Sequence, residues 1–305
     1  VGAAAGAAET SVRFGFSAPE TRAEVQELEA LGASSFWVGG HVASKNPSPE
    51  AMVWLARLVE QSGTAMIGTA ILLLPLYPPA LVAKQIADLD RASGGRVTLG
   101  VGVGGEYPSD FAACEVPIDE RGPRTDEAIG LLRRFWAAEP VTHHGTHHRY
   151  DKVRIHPAPA QGAALPVVVS GRRPVAMRRA ARLGDGWMPY LYSPERYARS
   201  VATVRDEAAR AGRDLAGFTW YAHVFVSLHD DAERARAEAA TFLGGTYRSD
   251  FDAMVDRVAC AGNPAQVRER IRAFVDAGAE HFVFVPCARP QETARRLLAE
   301  VIPAL

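Results

Sequence analysis

"GVGVGGEYPSDF", residues 100–111, follows "RVTL" at 96–99, and how it is read decides the fold. Glycine at every second position suits a loop that grips phosphate. It also suits the end of a strand whose backbone lets something flat lie close. A dinucleotide fingerprint needs a helix to start at its last glycine and an acid about twenty residues further on. Here the glycines fall inside the strand, and "EYPSDF" follows with Pro108 set against immediate helix entry. The stretch therefore reads as a barrel strand with side chains left out, where a planar ligand or a tightly packed neighbour takes the space. Glu106, at the strand's C-terminal end, is placed to project into the mouth.

Working outward, seven further runs have the same strand character: "SVRFGFS" (11–17), "SSFWVG" (34–39), "AMIGTAIL" (65–72), "LPVVVSG" (165–171), "DGWMPY" (185–190), "FTWYAHVFVSL" (218–228) and "EHFVFVP" (280–286). They are rich in Val, Ile, Phe and Trp, and several are apolar on both faces, as buried parallel strands are. Helical stretches with boundary signals separate them. "SAPE" at 17–20 has the spacing of a capping box, followed by Val25, Leu28 and Leu31. "PPALVAKQIADLDRASGG" (78–95) opens on two prolines and closes on two glycines, and Asn263 and Gly278 bracket "NPAQVRERIRAFVDAGAE" (263–280). Eight β/α units in 305 residues predict an α/β fold of the closed (β/α)₈ TIM-barrel type. Two connections are long, 104–165 after the fourth strand and 227–262 after the seventh. Both leave C-terminal strand ends, so they read as insertions within one domain over 12–305. "VGAAAGAAETS" (1–11) lacks a basic start and a leucine-rich core, so it reads as a disordered leader and not a secretory signal.

Composition narrows the function. Lys and Arg number 34 against 35 acids, which leaves no general cationic surface for nucleic acid. Cys114, Cys260 and Cys287 are scattered and odd in number, as expected of reduced thiols in a cytoplasmic protein. The most apolar run, "AMIGTAILLLPLY" (65–77), is broken by Pro75 and too short for a membrane span. No GxSxG, HExxH or Walker pattern supports a hydrolase or an NTPase.

Three places could carry chemistry. His41, in "FWVGGHVASKN" (36–46), ends the second strand as Glu106 ends the fourth, and an imidazole suits proton transfer near neutral pH. "VVVSGRRPVAMRRAARLGDGW" (167–187) runs strand, Gly171, Arg172, Arg173 and then a helix from Pro174. That order suits a phosphate held by free N–H groups and guanidinium forks, or two solvated arginines beside a turn. "THHGTHH" (142–148) reads as a hairpin whose alternating side chains keep the four rings from converging, so no metal is expected there.

In combination these stretches resemble the luciferase-like monooxygenase superfamily. The matching segments are residues 67–111, "ERGPRTDEAIGLLRRFW" (120–136), "LPVVVSG" with "AMRRAARLGDGW", and the closing 262–285. The resemblance implies a dimeric barrel that holds FMN or the deazaflavin coenzyme F-420 (F420) at its C-terminal mouth. Gly102 and Gly104, together with "GTAIL" (68–72), would flank the ring, and a non-prolyl cis peptide is expected near Ala70–Ile71. Gly171, Arg172 and Arg173 would hold the cofactor phosphate, and Lys45 and Arg173 could meet an oligoglutamate tail. His41 and Glu106 resemble the acid/base pair of the deazaflavin-dependent dehydrogenases. Lys45 stands where the sugar-phosphate enzymes keep a tryptophan, which points away from glucose 6-phosphate. The leading expectation is a deazaflavin-dependent oxidoreductase acting on a small organic substrate. The alternatives are an FMN-dependent monooxygenase fed by a separate reductase and a barrel that binds flavin without turnover.

Overall fold

The computed structural model describes residues 12–305, so the leader expected at 1–11 lies outside the described residues. Eight parallel strands run in chain order around a closed ring: β1 (Arg13–Ser17), β2 (Ser35–Val38), β3 (Met66–Thr69), β4 (Val97–Gly102), β5 (Val167–Ser170), β6 (Gly186–Met188), β7 (Thr219–Leu228) and β8 (His281–Pro286). Each pairs with its sequence neighbour. Closure comes from β1 against β8, where Arg13 faces His281 and Phe16 faces Phe284. Each of the eight strand runs expected from the sequence contains one of these strands.

The helices follow the boundary logic of their sequences. Helix Pro79–Ala92 starts on proline, where the missing N–H costs nothing, and ends before Gly94 and Gly95. Helix Pro264–Asp276 is capped reciprocally by Asn263 and Gln266. Two local expectations are corrected. The capping box of helix Arg22–Ala30 is Thr21 with Glu24, because Thr21 is the last extended residue and its hydroxyl reaches the Glu24 N–H. Pro108 does not hold off a helix. It opens one, Pro108–Ala113, since proline suits the first helical position.

Apolar residues fill both layers of the barrel. Between strands and helices lie Phe36, Leu55, Ile86, Leu132 and Phe282, all buried. Trp37, Val168, Met188, Tyr221 and Val283 form a second cluster, drawn from five different strands. Against it sits a polar chain in which Trp37 Nε1 donates to Ser35 Oγ at 2.8 Å and Ser35 Oγ lies 2.7 Å from His281 Nε2. Burial pushes the His281 ring down to about 3, so it is neutral in the fold.

The insertion after β4 carries a short helix, the long helix Arg121–Trp136 and the hairpin Val141–His144 with Arg149–Val153. Glu127 organises the hairpin turn, accepting from His143 Nε2 and from the N–H groups of His147 and His148. The insertion after β7 adds the helix Ala232–Tyr247 and the parallel strand Ala259–Gly262, which extends β7 beyond its contact with β6.

Candidate active site at the C-terminal mouth

The third strand is interrupted at the mouth. Gly68 pairs with Thr98 and Leu72 with Val101, so four steps on one side face three on the other. The extra residue forms a bulge, and the Ala70–Ile71 peptide within it is cis, as the resemblance implied. The glycines opposite explain how the bulge fits. A Cβ on Gly100 would run into the Thr69 carbonyl oxygen, and one on Gly102 into the Ile71 side chain. At Gly104, with φ +64, it would lie 3.2 Å from Leu73. The space left by the glycine-rich strand is thus partly taken up by β3 and its bulge.

His41 leaves β2 through Gly39, which packs closely on the Ala70 carbonyl. Its N–H donates to Ser48 Oγ at 3.1 Å. Its ring stands edge-on to Tyr107, centroids 4.8 Å apart. Nδ1 is 2.8 Å from Asp110 Oδ2. The other Asp110 oxygen accepts from the N–H groups of Val42 and Ala43 at 2.8 and 2.7 Å. Asp110 is 1 % exposed, a buried carboxylate whose hydrogen bonds all go to the loop after β2. Sequence reasoning missed it, because nothing in "EYPSDF" says which strand its aspartate faces.

Glu106 is exposed at the rim and accepts from the Tyr190 hydroxyl at 2.8 Å. Tyr190 follows β6, and its ring stacks on Tyr247 from the insertion after β7, centroids 6.3 Å apart. Burial, reinforced by Glu106, pushes the Tyr190 phenol up to about 12, which keeps it a hydrogen-bond donor. Tyr190 was also absent from the sequence-derived site.

Arg172 and Arg173 diverge. The Arg172 guanidinium lies over the Tyr190 ring, 4.5 Å from its centroid. Arg173 is the N-cap of helix Pro174–Leu183, is exposed, and pairs with no acid among the described residues. Gly171, with φ +143, packs its α-carbon against Ala176, where a Cβ would meet the Ala176 methyl at 2.5 Å. The Gly171 N–H belongs to the ladder with β6, while the N–H groups of Arg172 and Arg173 donate to no protein acceptor among the described residues. Free N–H groups, a helix start and an unpaired arginine fit the phosphate end of either candidate cofactor.

Concavity alone does not mark this end. A cavity of about 490 Å³ opens at the opposite face, lined by Arg13, Met66, Thr98, Asp185, Thr219 and Tyr221 at or near the strand starts. His41 and Glu106, with their partners Asp110 and Tyr190, are at the mouth. Lys45 is exposed there, four residues beyond His41. No helix among the described residues is long and apolar enough to cross a membrane.

Comparison with known proteins agrees with the barrel fold. The sequence profile described as luciferase-like monooxygenase matches residues 2–281. An F420-dependent glucose-6-phosphate dehydrogenase of Nakamurella multipartita is 26% identical over 335 residues, covering 96% of each chain. Among solved structures, an F420-dependent secondary alcohol dehydrogenase in complex with an F420-acetone adduct superposes with a TM-score of 0.83 at 22% identity, over 96% of this chain and 99% of the other. The coenzyme F420-dependent tetrahydromethanopterin reductase of Methanopyrus kandleri superposes with a TM-score of 0.80 at 20% identity, over 96% and 99%.

Proposed function

We propose that this chain, which belongs to the luciferase-like monooxygenase family, is a deazaflavin (coenzyme F420)-dependent oxidoreductase that moves hydride between the cofactor and a small organic substrate. The observation that carries this reading is the pair of proton-handling groups at one mouth, His41 held by Asp110 and Glu106 held by Tyr190. Hydride transfer to or from a carbon–oxygen bond must be matched by a proton, so it needs a positioned acid or base. An oxygenase depends chiefly on a dry pocket.

When bound, the deazaflavin supplies the hydride-exchanging carbon and reacts poorly with oxygen. The chain's own residues do the rest. The N–H groups of Arg172 and Arg173, with the Arg173 side chain, hold the phosphate end, which the turn at Gly171 presents. The Ala70–Ile71 bulge and the strand end around Gly102 and Gly104 form the wall against the ring. His41 takes a proton from the substrate hydroxyl or gives one to its carbonyl, and Glu106 balances charge on the cofactor side. The relatives named as glucose-6-phosphate dehydrogenases support the cofactor more than the sugar phosphate, because Lys45 replaces the tryptophan expected of that substrate class.

The finer organisation follows the same reading. The protein is a homodimer working in the cytoplasm, which its three free cysteines suit, and it draws on a separate reductase for reduced cofactor if it runs in the reducing direction.

Native mass spectrometry of protein purified from a host that makes both cofactors tests the proposal, with turnover followed by the deazaflavin absorbance under nitrogen. Bound F420 and oxygen-independent turnover are expected. Bound FMN with substrate-dependent oxygen uptake would promote the monooxygenase alternative. Cofactor bound tightly without turnover of any alcohol or carbonyl substrate would leave the flavin-binding alternative standing.

A further inference from the structure

We infer that Asp110 is the positioning residue of His41, fixing the imidazole as the Nδ1–H tautomer so that Nε2 is the atom that exchanges a proton with substrate. The inference rests on the acid/base role proposed for His41.

The argument starts from hydrogen-bond valence. An ionised carboxylate only accepts. Asp110 Oδ1 is committed to the N–H groups of Val42 and Ala43, and Oδ2 faces His41 Nδ1 at 2.8 Å. For a neutral ring, that contact is a hydrogen bond only if Nδ1 carries the hydrogen, which leaves the Nε2 lone pair free. No protein partner for Nε2 exists among the described residues, and the ring remains partly open to solvent, with 28 % of the side chain exposed. A buried acceptor on one nitrogen and an accessible lone pair on the other is how a histidine base is held in one tautomer.

The same contacts join two loops. Asp110 and Ser109 both come from the insertion after β4. Ser109 Oγ donates to the Ala43 carbonyl at 2.6 Å, beside the two N–H groups that Asp110 holds. The turn Val42–Ala43 is thereby pinned immediately after the histidine, so the insertion orients the ring as well as shaping the mouth. Tyr107, from the same insertion, closes on the ring edge.

Asp110→Asn tests this sharply, because the amide keeps the shape and reverses one hydrogen bond. Its Oδ1 must stay on the Val42 and Ala43 N–H groups, which have no other acceptor, so its NH₂ faces Nδ1 as a donor. The imidazole must then move its hydrogen to Nε2, where it can no longer accept a proton. Nitrogen-15 NMR of histidine-labelled protein at alkaline pH, with the His41 signals assigned by their loss in His41→Ala, reads the tautomer directly and needs no cofactor. The wild type should show Nδ1–H and the variant Nε2–H. Turnover in Asp110→Asn should fall on the order of 10²–10⁴-fold towards the His41→Ala level, with F420 dissociation constants within twofold of wild type. Asp110→Glu should not restore the tautomer, because the longer side chain cannot keep both loop N–H groups and Nδ1.

An Nε2–H ring in the wild type, or an unchanged tautomer in Asp110→Asn, overturns the assignment whatever the turnover. A reversed tautomer with full turnover overturns the positioning role. Full turnover in His41→Ala removes the acid/base reading on which the inference rests, and the wild-type tautomer shows separately whether the Asp110–His41 geometry itself was correct.

Discussion

Tyr190 and Glu106 stand 84 residues apart in the chain and 2.8 Å apart in the fold, the phenol donating to the carboxylate. The contact joins the end of β6 to the glycine-rich end of β4, and Arg172 covers the tyrosine ring from β5. Three strand ends therefore meet around one tyrosine. Because the phenol titrates only near 12, this donor persists through the working pH range. Tyr190→Phe should lower turnover about tenfold, the scale of one ordinary hydrogen bond, and Glu106→Gln by more. Steady-state kinetics with F420 binding measured in parallel checks this. Equal losses in cofactor affinity and turnover would instead make the pair a cofactor contact.

Arg172 and Arg173 should separate by function although they are neighbours. Arg173→Ala should weaken F420 binding, more at low salt than at high salt, as expected of an exposed charge on a phosphate. Arg172→Ala should change turnover more than affinity, because its guanidinium supports Tyr190 and not the helix start. Fluorescence titration at two ionic strengths distinguishes them, and unchanged affinity in the double variant would remove the phosphate site from this loop.

Alanine at the two strand glycines should rank by what each methyl meets. At Gly100 it meets the Thr69 backbone carbonyl, which cannot swing away. At Gly102 it meets the far end of the Ile71 side chain, which can. Gly100→Ala is expected to cost about 1–3 kcal/mol of stability, the range for overpacking, and Gly102→Ala less. Gly102→Ala should still weaken cofactor binding by displacing Ile71. Chemical denaturation of the apoprotein and cofactor titration provide the two readouts, and a larger stability loss at Gly102 than at Gly100 contradicts the packing described.

Acid should destabilise the protein through a group remote from the mouth. His281 is neutral in the fold, its value lowered from 6.5 to about 3 by burial, so between those values the unfolded chain binds a proton that the native state does not. Stability contributed by this ring is complete above about 6.5 and is lost as pH falls towards 3, at up to about 1.4 kcal/mol per pH unit. Denaturation midpoints across that window should fall, and His281→Asn should flatten the slope while lowering stability at neutral pH. A slope unaffected by the substitution would assign the acid sensitivity to other groups.

What the sequence determined by itself is local in its physics. Apolar runs of Val, Ile, Phe and Trp marked each of the eight strands, prolines and glycines marked helix ends, and the resemblance located the cis Ala70–Ile71 peptide from contiguous residues. His41 and Glu106 were legible because each follows a strand, and a C-terminal strand end in a barrel has one destination. Their partners were not. Asp110 lies in a short helix whose sequence would serve equally on any loop, and Tyr190 looks like one more aromatic at a strand end. Only closure of the sheet brings β2, β4 and β6 to one mouth, so that Asp110 meets His41 and Tyr190 meets Glu106. The direction of Arg172 and the use of the glycine space by Ile71 were decided at the same level. A strand's apolar pattern is set by which of its faces are buried. A side chain's hydrogen-bond partner is set by which strand ends the barrel brings together, and that relation exists only in three dimensions.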